Sequence, residues 1–205
     1  MTKTQAMNFS VLASGRGGNL KAIIDAIKDG KIKADLKVVI SDRKDAYALE
    51  YAKEANIPAF FMNPKDYHDR RAFDQAIVER LHEFKVDFVV LAGYMRLVSG
   101  YFVAQYPDKI LNIHPSLLPS FKGMHAIKDA FEYGAKVTGP TVHFVVEEMD
   151  EGAVILQEPV RIEPEDTLES LKEKIHQAEH RIYPQAIDLY VRGKLKIEGR
   201  RVIHL

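Results

Sequence analysis

With 205 residues, the chain is long enough to bury one substantial core, and it reads as a single domain spanning residues 1–205. Its 29 basic residues balance 29 acidic ones, which argues against a broad cationic field or a Lys/Arg track for nucleic acid. Cysteine is absent, which excludes disulfides, thiolate metal ligands and a cysteine nucleophile and fits a reducing compartment. Residues 1–7 carry no apolar signal core and no run approaches membrane-spanning length. A cytoplasmic protein is therefore expected, with small-molecule partners rather than nucleic acid or membrane.

In chain order, residues 9–13 read as a strand and residues 19–28 as a helix, with Leu20, Ile23, Ile24 and Ile27 on one face. A second strand is expected over 36–41, a helix over 46–55 and a third short strand over 59–62. Residues 71–84 have helical periodicity with Phe73, Ile77, Leu81 and Phe84 inward. Residues 87–92 have almost no polar position, the pattern of a strand covered on both faces. Another strand runs over 110–113. This βαβα rhythm predicts an α/β fold, a doubly wound, mostly parallel sheet. The second half changes character. Residues 138–146 and 153–160 read as longer strands pairing antiparallel at a sheet edge around an acidic turn. Asp166 or Thr167 caps a helix through about His180, which Pro184 kinks or interrupts, and a hairpin over 194–197 and 201–204 closes the chain.

Ser14-Gly15-Arg16-Gly17-Gly18-Asn19-Leu20 lies between the first strand and first helix. Glycines here let the backbone turn tightly and aim its N–H groups at an anion on the helix N-terminus. A dinucleotide fingerprint needs a third glycine where Leu20 stands, and no Gly-Lys-Ser/Thr follows, so nicotinamide and P-loop readings fail. What remains is a loop for one phosphate monoester or a plain strand–turn–helix junction.

The most informative stretch is Asn112-Ile113-His114-Pro115-Ser116-Leu117-Leu118-Pro119. Side chains two apart on a strand share a face, so Asn112 and His114 project side by side, and Pro115 keeps His114 extended. An amide donor beside a titratable imidazole suits a reaction in which a carbonyl oxygen becomes negative and a proton moves. In Glu147-Glu148-Met149-Asp150-Glu151-Gly152 a carboxylate in the acidic turn could reach that imidazole and hold it cationic. The alternative is a strand end capped by turn chemistry alone. His143 reads as a packing or supporting residue, and His125 as the start of a helix near the site. His68, His82, His176, His180 and His204 read as solvated or locally bonded. No His/Asp/Glu spacing predicts a metal: His176 and His180 stand four apart, without the glutamate a zinc helix needs.

Together, Ser14-Gly15-x-Gly17-x-Asn19-Leu20, Ala92-Gly93-Tyr94-Met95-Arg96, the Asn112–Pro119 block and Met149-Asp150-Glu151-Gly152 closely resemble the phosphoribosylglycinamide formyltransferase family, also called glycinamide ribonucleotide transformylase, over nearly the whole chain. The Asn-x-His-Pro block marks the wider group of folate-dependent formyltransferases, and the glycine loop with Asn19 points to this member. The resemblance implies transfer of a formyl group from 10-formyltetrahydrofolate, the co-substrate, to the amine of phosphoribosylglycinamide in purine biosynthesis, without a metal. It implies His114 as catalytic acid, Asn112 on the formyl oxygen, and Asp150 setting the charge of the imidazole and relaying its proton. It further implies that Gly17, Gly18 and Asn19 hold the substrate phosphate and that Glu179 meets the substrate amine. Met95, Arg96, Leu97 and Val98 line the folate's pterin pocket mainly through backbone, and Arg70 approaches its glutamate end. Gly18 and Pro140 lie where members vary, and Glu151 replaces a common small residue.

Three rivals remain at this level. A 10-formyltetrahydrofolate hydrolase uses water as acceptor and usually carries an extra N-terminal regulatory domain, whereas here the catalytic fold begins by Phe9. A methionyl-tRNA formyltransferase needs a basic C-terminal domain, and this chain stops at Leu205 with zero net charge. A non-catalytic folate- or nucleotide-binding module has no need of Asn112, His114 and Asp150 together. A homodimer through the exposed sheet edge is a further expectation.

Overall fold

The computed structural model describes residues 6–205, and the chain divides into two units, Met1–Ile110 and Leu111–Leu205. Residues 1–5, part of the stretch read above as lacking a signal core, lie outside the described residues.

In the first unit, β1 (Asn8–Ala13), β2 (Asp35–Ser41), β3 (Ala59–Phe61) and β4 (Phe88–Leu91) form parallel ladders in the order β4-β1-β2-β3. Val11 of β1 is in register with Val39 on one side and Val90 on the other. Phe9, Val11, Leu12 and Ala13 are all fully buried, so both faces of β1 are covered, as its apolar run requires. The helices are α1 (Gly18–Lys28), α2 (Tyr47–Glu54), α3 (Arg70–Glu83) and α4 (Gly100–Gln105). α1 buries Leu20, Ile23, Ile24 and Ala26, with Ile27 only half-buried. α3 starts one residue ahead of its periodic pattern because Asp69 caps it, Oδ1 accepting from Ala72 N at 2.7 Å. α4 has no counterpart among the sequence expectations: its six residues are too short to display a helical period.

In the second unit, β5 (Ile110–His114), β7 (Thr141–Phe144) and β8 (Val154–Gln157) form antiparallel ladders, and β10 (Leu195–Glu198) pairs antiparallel with β11 (Arg201–His204). A separate two-stranded sheet joins β6 (Val137–Thr138) to β9 (Val160–Arg161). The two long strands expected over 138–146 and 153–160 are thus broken in two. The cause is Gly139: its φ is +143°, and an added Cβ would lie 1.9 Å from the Glu158 carbonyl oxygen, so the chain crosses its neighbour too closely for a regular ladder. Nor is β8 the sheet edge, since β11 pairs with it in parallel at Val154.

The unit's helices are α5 (Ala126–Tyr133) and α6 (Leu168–Val191). Thr167 caps α6 in a capping box with Ser170. Pro184 does not interrupt α6, which runs on to Val191. An interior proline costs about 3 kcal/mol or more. Burial of Ile182, Tyr183, Ala186 and Ile187 around it, with Tyr183 Oη donating to the Leu111 carbonyl at 3.0 Å, outweighs that cost. The architecture is α/β with a mixed, Rossmann-like sheet, as the alternation of patterns predicts.

Candidate active site

Asn112 and His114 lie two apart on β5, opposite His143 and Thr141 of β7. Residues directly opposite in an antiparallel pair share a face, so four polar side chains meet there. Asn112 Nδ2 is 3.1 Å from His143 Nε2, and His143 Nδ1 is 2.8 Å from the Phe144 carbonyl oxygen. A carbonyl can only accept, so Nδ1 carries the hydrogen and Nε2 accepts from the Asn112 amide. Burial pushes the His143 imidazole below its ordinary pKa, against the pull of the Phe144 carbonyl and the Asp150 carboxylate, which keeps it in this neutral form. One Asn112 N–H is thereby spent on orientation, and the second points the amide as a donor.

His114 is 5% exposed. Its Nε2 donates to the Phe121 carbonyl at 2.9 Å, and its Nδ1 lies 3.5 Å from Asp150 Oδ2. The two ring nitrogens thus face two oxygens, Nε2 the Phe121 carbonyl and Nδ1 the Asp150 carboxylate. Asp150 Oδ2 also accepts from Gly123 N at 2.9 Å, and its Oδ1 is 3.9 Å from His143 Nε2. Phe121 and Asp150 hold left-handed φ values of 49° and 57°. In a bulky residue such as Phe121 this conformation persists only where surrounding structure enforces it, whereas aspartate adopts it more readily. Gly152 has a different requirement: an added Cβ would stand 1.7 Å from the Phe144 carbonyl oxygen, so only glycine lets the acidic turn approach β7 this closely. Glu151 faces outward, paired with Lys122 and, at 2.8 Å, with Arg200.

The loop after His114 is fastened by Thr141. Its Oγ1 donates to the Ser116 carbonyl at 2.6 Å and accepts from Leu118 N at 3.0 Å and Gln157 Nε2 at 2.9 Å. Glu179 is buried on α6, its Oε2 3.0 Å from His176 Nδ1. Of the histidines set aside on sequence, His204 bonds the Ile155 carbonyl, His68 lies beside Asp69, and His125 immediately precedes α5.

The first unit contributes a different kind of surface. Gly17, with φ +71°, is the N-cap of α1 and offers no side-chain cap; Gly18 and Asn19 begin the helix. The opening turn of an α-helix has backbone N–H groups without intrahelical acceptors, which suits an anion. A Cβ on Gly17 would lie 2.9 Å from Ala48 Cα, whereas Gly15 has open space around it. Ser14 stitches this loop to the 95–98 segment: its N donates to the Gly93 carbonyl at 3.1 Å, and its Oγ accepts from Met95 N at 2.9 Å. Met95 and Leu97 turn outward, at 61% and 52% exposed, while Val98 is buried and the Arg96 guanidinium lies 5.3 Å from the Phe73 ring centre. Arg70 is the exposed first residue of α3.

The structure therefore brings Asn112, His114 and Asp150 together with His143, and places Gly17, Gly18 and Asn19 on one helix start. Sequence reasoning assigned no role to Ser14, Thr141 or Gln157. The signal for Thr141 and His143 was their alternation along one strand, legible only once that strand's partner is known.

Residues 7–187 match the formyl transferase family. The chain is 51% identical to glycinamide ribonucleotide transformylase 1 from Symbiobacterium toebii, whose crystal structure superposes with a TM-score of 0.97 over 99% of this chain and 96% of that one. It is 44% identical to the phosphoribosylglycinamide formyltransferase of Bacillus subtilis over 87% of this chain and 92% of that protein. It is 47% identical to the trifunctional purine biosynthetic protein adenosine-3 of Bos taurus over 92% of this chain, but spans only 19% of that protein's length. With its trio of amide, imidazole and carboxylate, its glycine loop and these likenesses, the chain belongs to the formyl transferase family.

Proposed function

We propose that the protein transfers the formyl group of 10-formyltetrahydrofolate to the amine of phosphoribosylglycinamide, a step of purine biosynthesis, and that the whole chain works as one formyltransferase domain. The amine nitrogen attacks the formyl carbon and the carbonyl oxygen becomes an alkoxide. Asn112 donates its second Nδ2 hydrogen to that oxygen, and His114 donates its Nε2–H, exchanging the Phe121 carbonyl for the alkoxide as acceptor. The C–N10 bond then breaks as N10 of the folate gains a proton, and the nitrogen of the new formamide loses one, so the reaction is proton-neutral. N10 is a poor leaving group until protonated, and His114 is the acid that supplies its proton, with Asp150 balancing the charge of the imidazole and relaying the proton taken from the amine. The phosphate rests on backbone N–H groups of Gly17, Gly18 and Asn19, Glu179 meets the amine end, residues 95–98 line the pterin through backbone, and Arg70 takes the folate's glutamate.

The observation that carries this reading is the imidazole of His114 held between the Phe121 carbonyl and the Asp150 carboxylate, beside an oriented amide. A spectroscopic assay of tetrahydrofolate release tests it. Formyl-folate should be consumed rapidly only when phosphoribosylglycinamide is present, one formylated product forming per folate released, because positioning two substrates replaces several kcal/mol of barrier. Rapid release of formate without the amine would identify a hydrolase instead.

A further inference from the structure

We propose that Asp74 is a positioning residue for the formyl donor: its buried carboxylate fixes the end of the 95–98 segment and so sets the shape of the backbone that receives the folate. This rests on the reading of that segment as donor-lining.

Asp74 stands on the buried face of α3 among Phe73, Ile77, Val78 and Leu81, and is only 2% exposed. An apolar residue would suit that face better, since a carboxylate there is desolvated. Burial accordingly pushes its pKa up, against the hydrogen bond from Ser99 and the nearby charges of Arg70 and Arg96. What the carboxylate does is accept a hydrogen bond from Ser99 N at 2.5 Å. Ser99 directly follows Val98 and is the N-cap of α4, its Oγ accepting from Phe102 N at 3.4 Å. At the other end of the segment, Met95 N is held by Ser14 Oγ at 2.9 Å. The segment is therefore strung between two side-chain anchors, with its large apolar side chains Met95 and Leu97 turned outward. A stretch that recognises its ligand through backbone groups has no side-chain rotamers with which to adjust, so its anchors decide its fit.

Steady-state kinetics with each substrate varied in turn provide the test. Asp74→Ala should raise the KM for 10-formyltetrahydrofolate about tenfold or more, the loss of one hydrogen bond to a charged acceptor, with kcat and the KM for phosphoribosylglycinamide within about twofold of wild type. Asp74→Asn, whose amide oxygen can still accept from Ser99 N, should recover most of the donor KM. A merely structural role predicts that Asp74→Leu, an apolar replacement of similar size, is as active as wild type; the proposal predicts that it behaves like Asp74→Ala. Should these variants fail to fold by circular dichroism, Ser99→Pro removes the donor N–H at a residue whose φ of −78° already suits proline. Ser99→Ala, which keeps the N–H and loses the hydroxyl that also bonds Asp74, should raise the donor KM less than Ser99→Pro does. An unchanged donor KM, or equal increases for both substrates, overturns the inference. Wild type that shows no amine-dependent turnover would instead overturn the proposed function. Direct titration of 10-formyltetrahydrofolate into wild type and Asp74→Ala would then still decide the role of Asp74, an equal Kd refuting it.

Discussion

On the proposed function, the two units put their groups to use in opposite ways. In Leu111–Leu205 the working atoms belong to side chains, and each is braced by another: Asn112 by His143, His143 by the Phe144 carbonyl, His114 by Phe121 and Asp150, Asp150 by Gly123. In Met1–Ile110 the atoms proposed to hold ligand belong to the backbone of a glycine loop and of residues 95–98, and side chains such as Ser14 serve as anchors. Antiparallel pairing brings residues from distant parts of the chain face to face, which suits chemistry needing several different groups at one point. The carboxyl ends of parallel strands present loops and helix starts, which suits holding a ligand. Substitutions should therefore separate cleanly, with turnover lost from the second unit and binding or folding lost from the first.

The largest effect should come from the His114–Asp150 pair. His114→Ala and Asp150→Asn should each lower kcat by about 10²–10⁴-fold, the usual contribution of a positioned acid, while the thermal unfolding transition survives. The double variant should be little slower than the worse single one, because groups that act as a unit are not additive. Effects that multiply would mean that the two act separately. Next in size is Asn112→Ala, which should cost about 10²–10³-fold in kcat, the loss typical of one oxyanion donor. A loss confined to KM would move Asn112 from the chemistry to ground-state binding.

The legible and illegible parts of this molecule divide along the same line. β1 and β4 of the parallel unit were readable within a residue or two because a strand covered on both faces is apolar throughout, and Asn112, His114 and Asp150 were readable because each stands in a compact local motif. What pairs with what was not. That Asn112 leans on His143 follows from the register of β5 with β7, and the role of Asp74 from a bond to a residue 25 positions away. The break at Gly139 depends on a close crossing with Glu158, and the helix through Pro184 on burial by tertiary neighbours. Local pattern carries no information on either.

Gly17 sharpens the comparison from the other side. On sequence, its replacement reads as a block to the phosphate, yet its Cβ would press on Ala48 and its φ of +71° disfavours any side chain. Gly17→Ala should therefore lower stability by about 1–3 kcal/mol, read by denaturant titration, whereas Gly15→Ala should leave stability within about 0.5 kcal/mol. Equal stability losses would mean that the strain lies in the loop as a whole. A pH titration probes the second unit in turn. The folded pKa of His143 lies below its unfolded value of about 6.5, so below that pH the unfolded chain binds the extra proton. His143 should thus cost no stability above pH 6.5 and destabilise the fold progressively as pH falls beneath it. His143→Gln should flatten that part of the stability profile; an unaltered slope would assign the acid sensitivity to other groups.

The smallest expected effect belongs to Glu151, which follows Asp150 in the acidic turn. Its carboxylate pairs with Lys122, between Phe121 and Gly123, and with Arg200 in the C-terminal hairpin. Lys122 and Arg200 accordingly hold its carboxyl below the usual carboxylate range. The two residues flanking Lys122 are those that bond His114 and Asp150, so this exposed cluster braces the loop that frames the trio. Exposed ion pairs are screened and individually weak. Glu151→Gln should therefore lower kcat only about twofold to fivefold at low ionic strength, and wild type and variant should converge as salt is raised toward 1 M, where the Debye length falls to about 3 Å. A deficit that persists at high salt would show that Glu151 acts by packing the turn rather than by its charge. A deficit approaching that of Asp150→Asn would make it part of the chemistry, and would erase the distinction between a side chain that reacts and one that only braces.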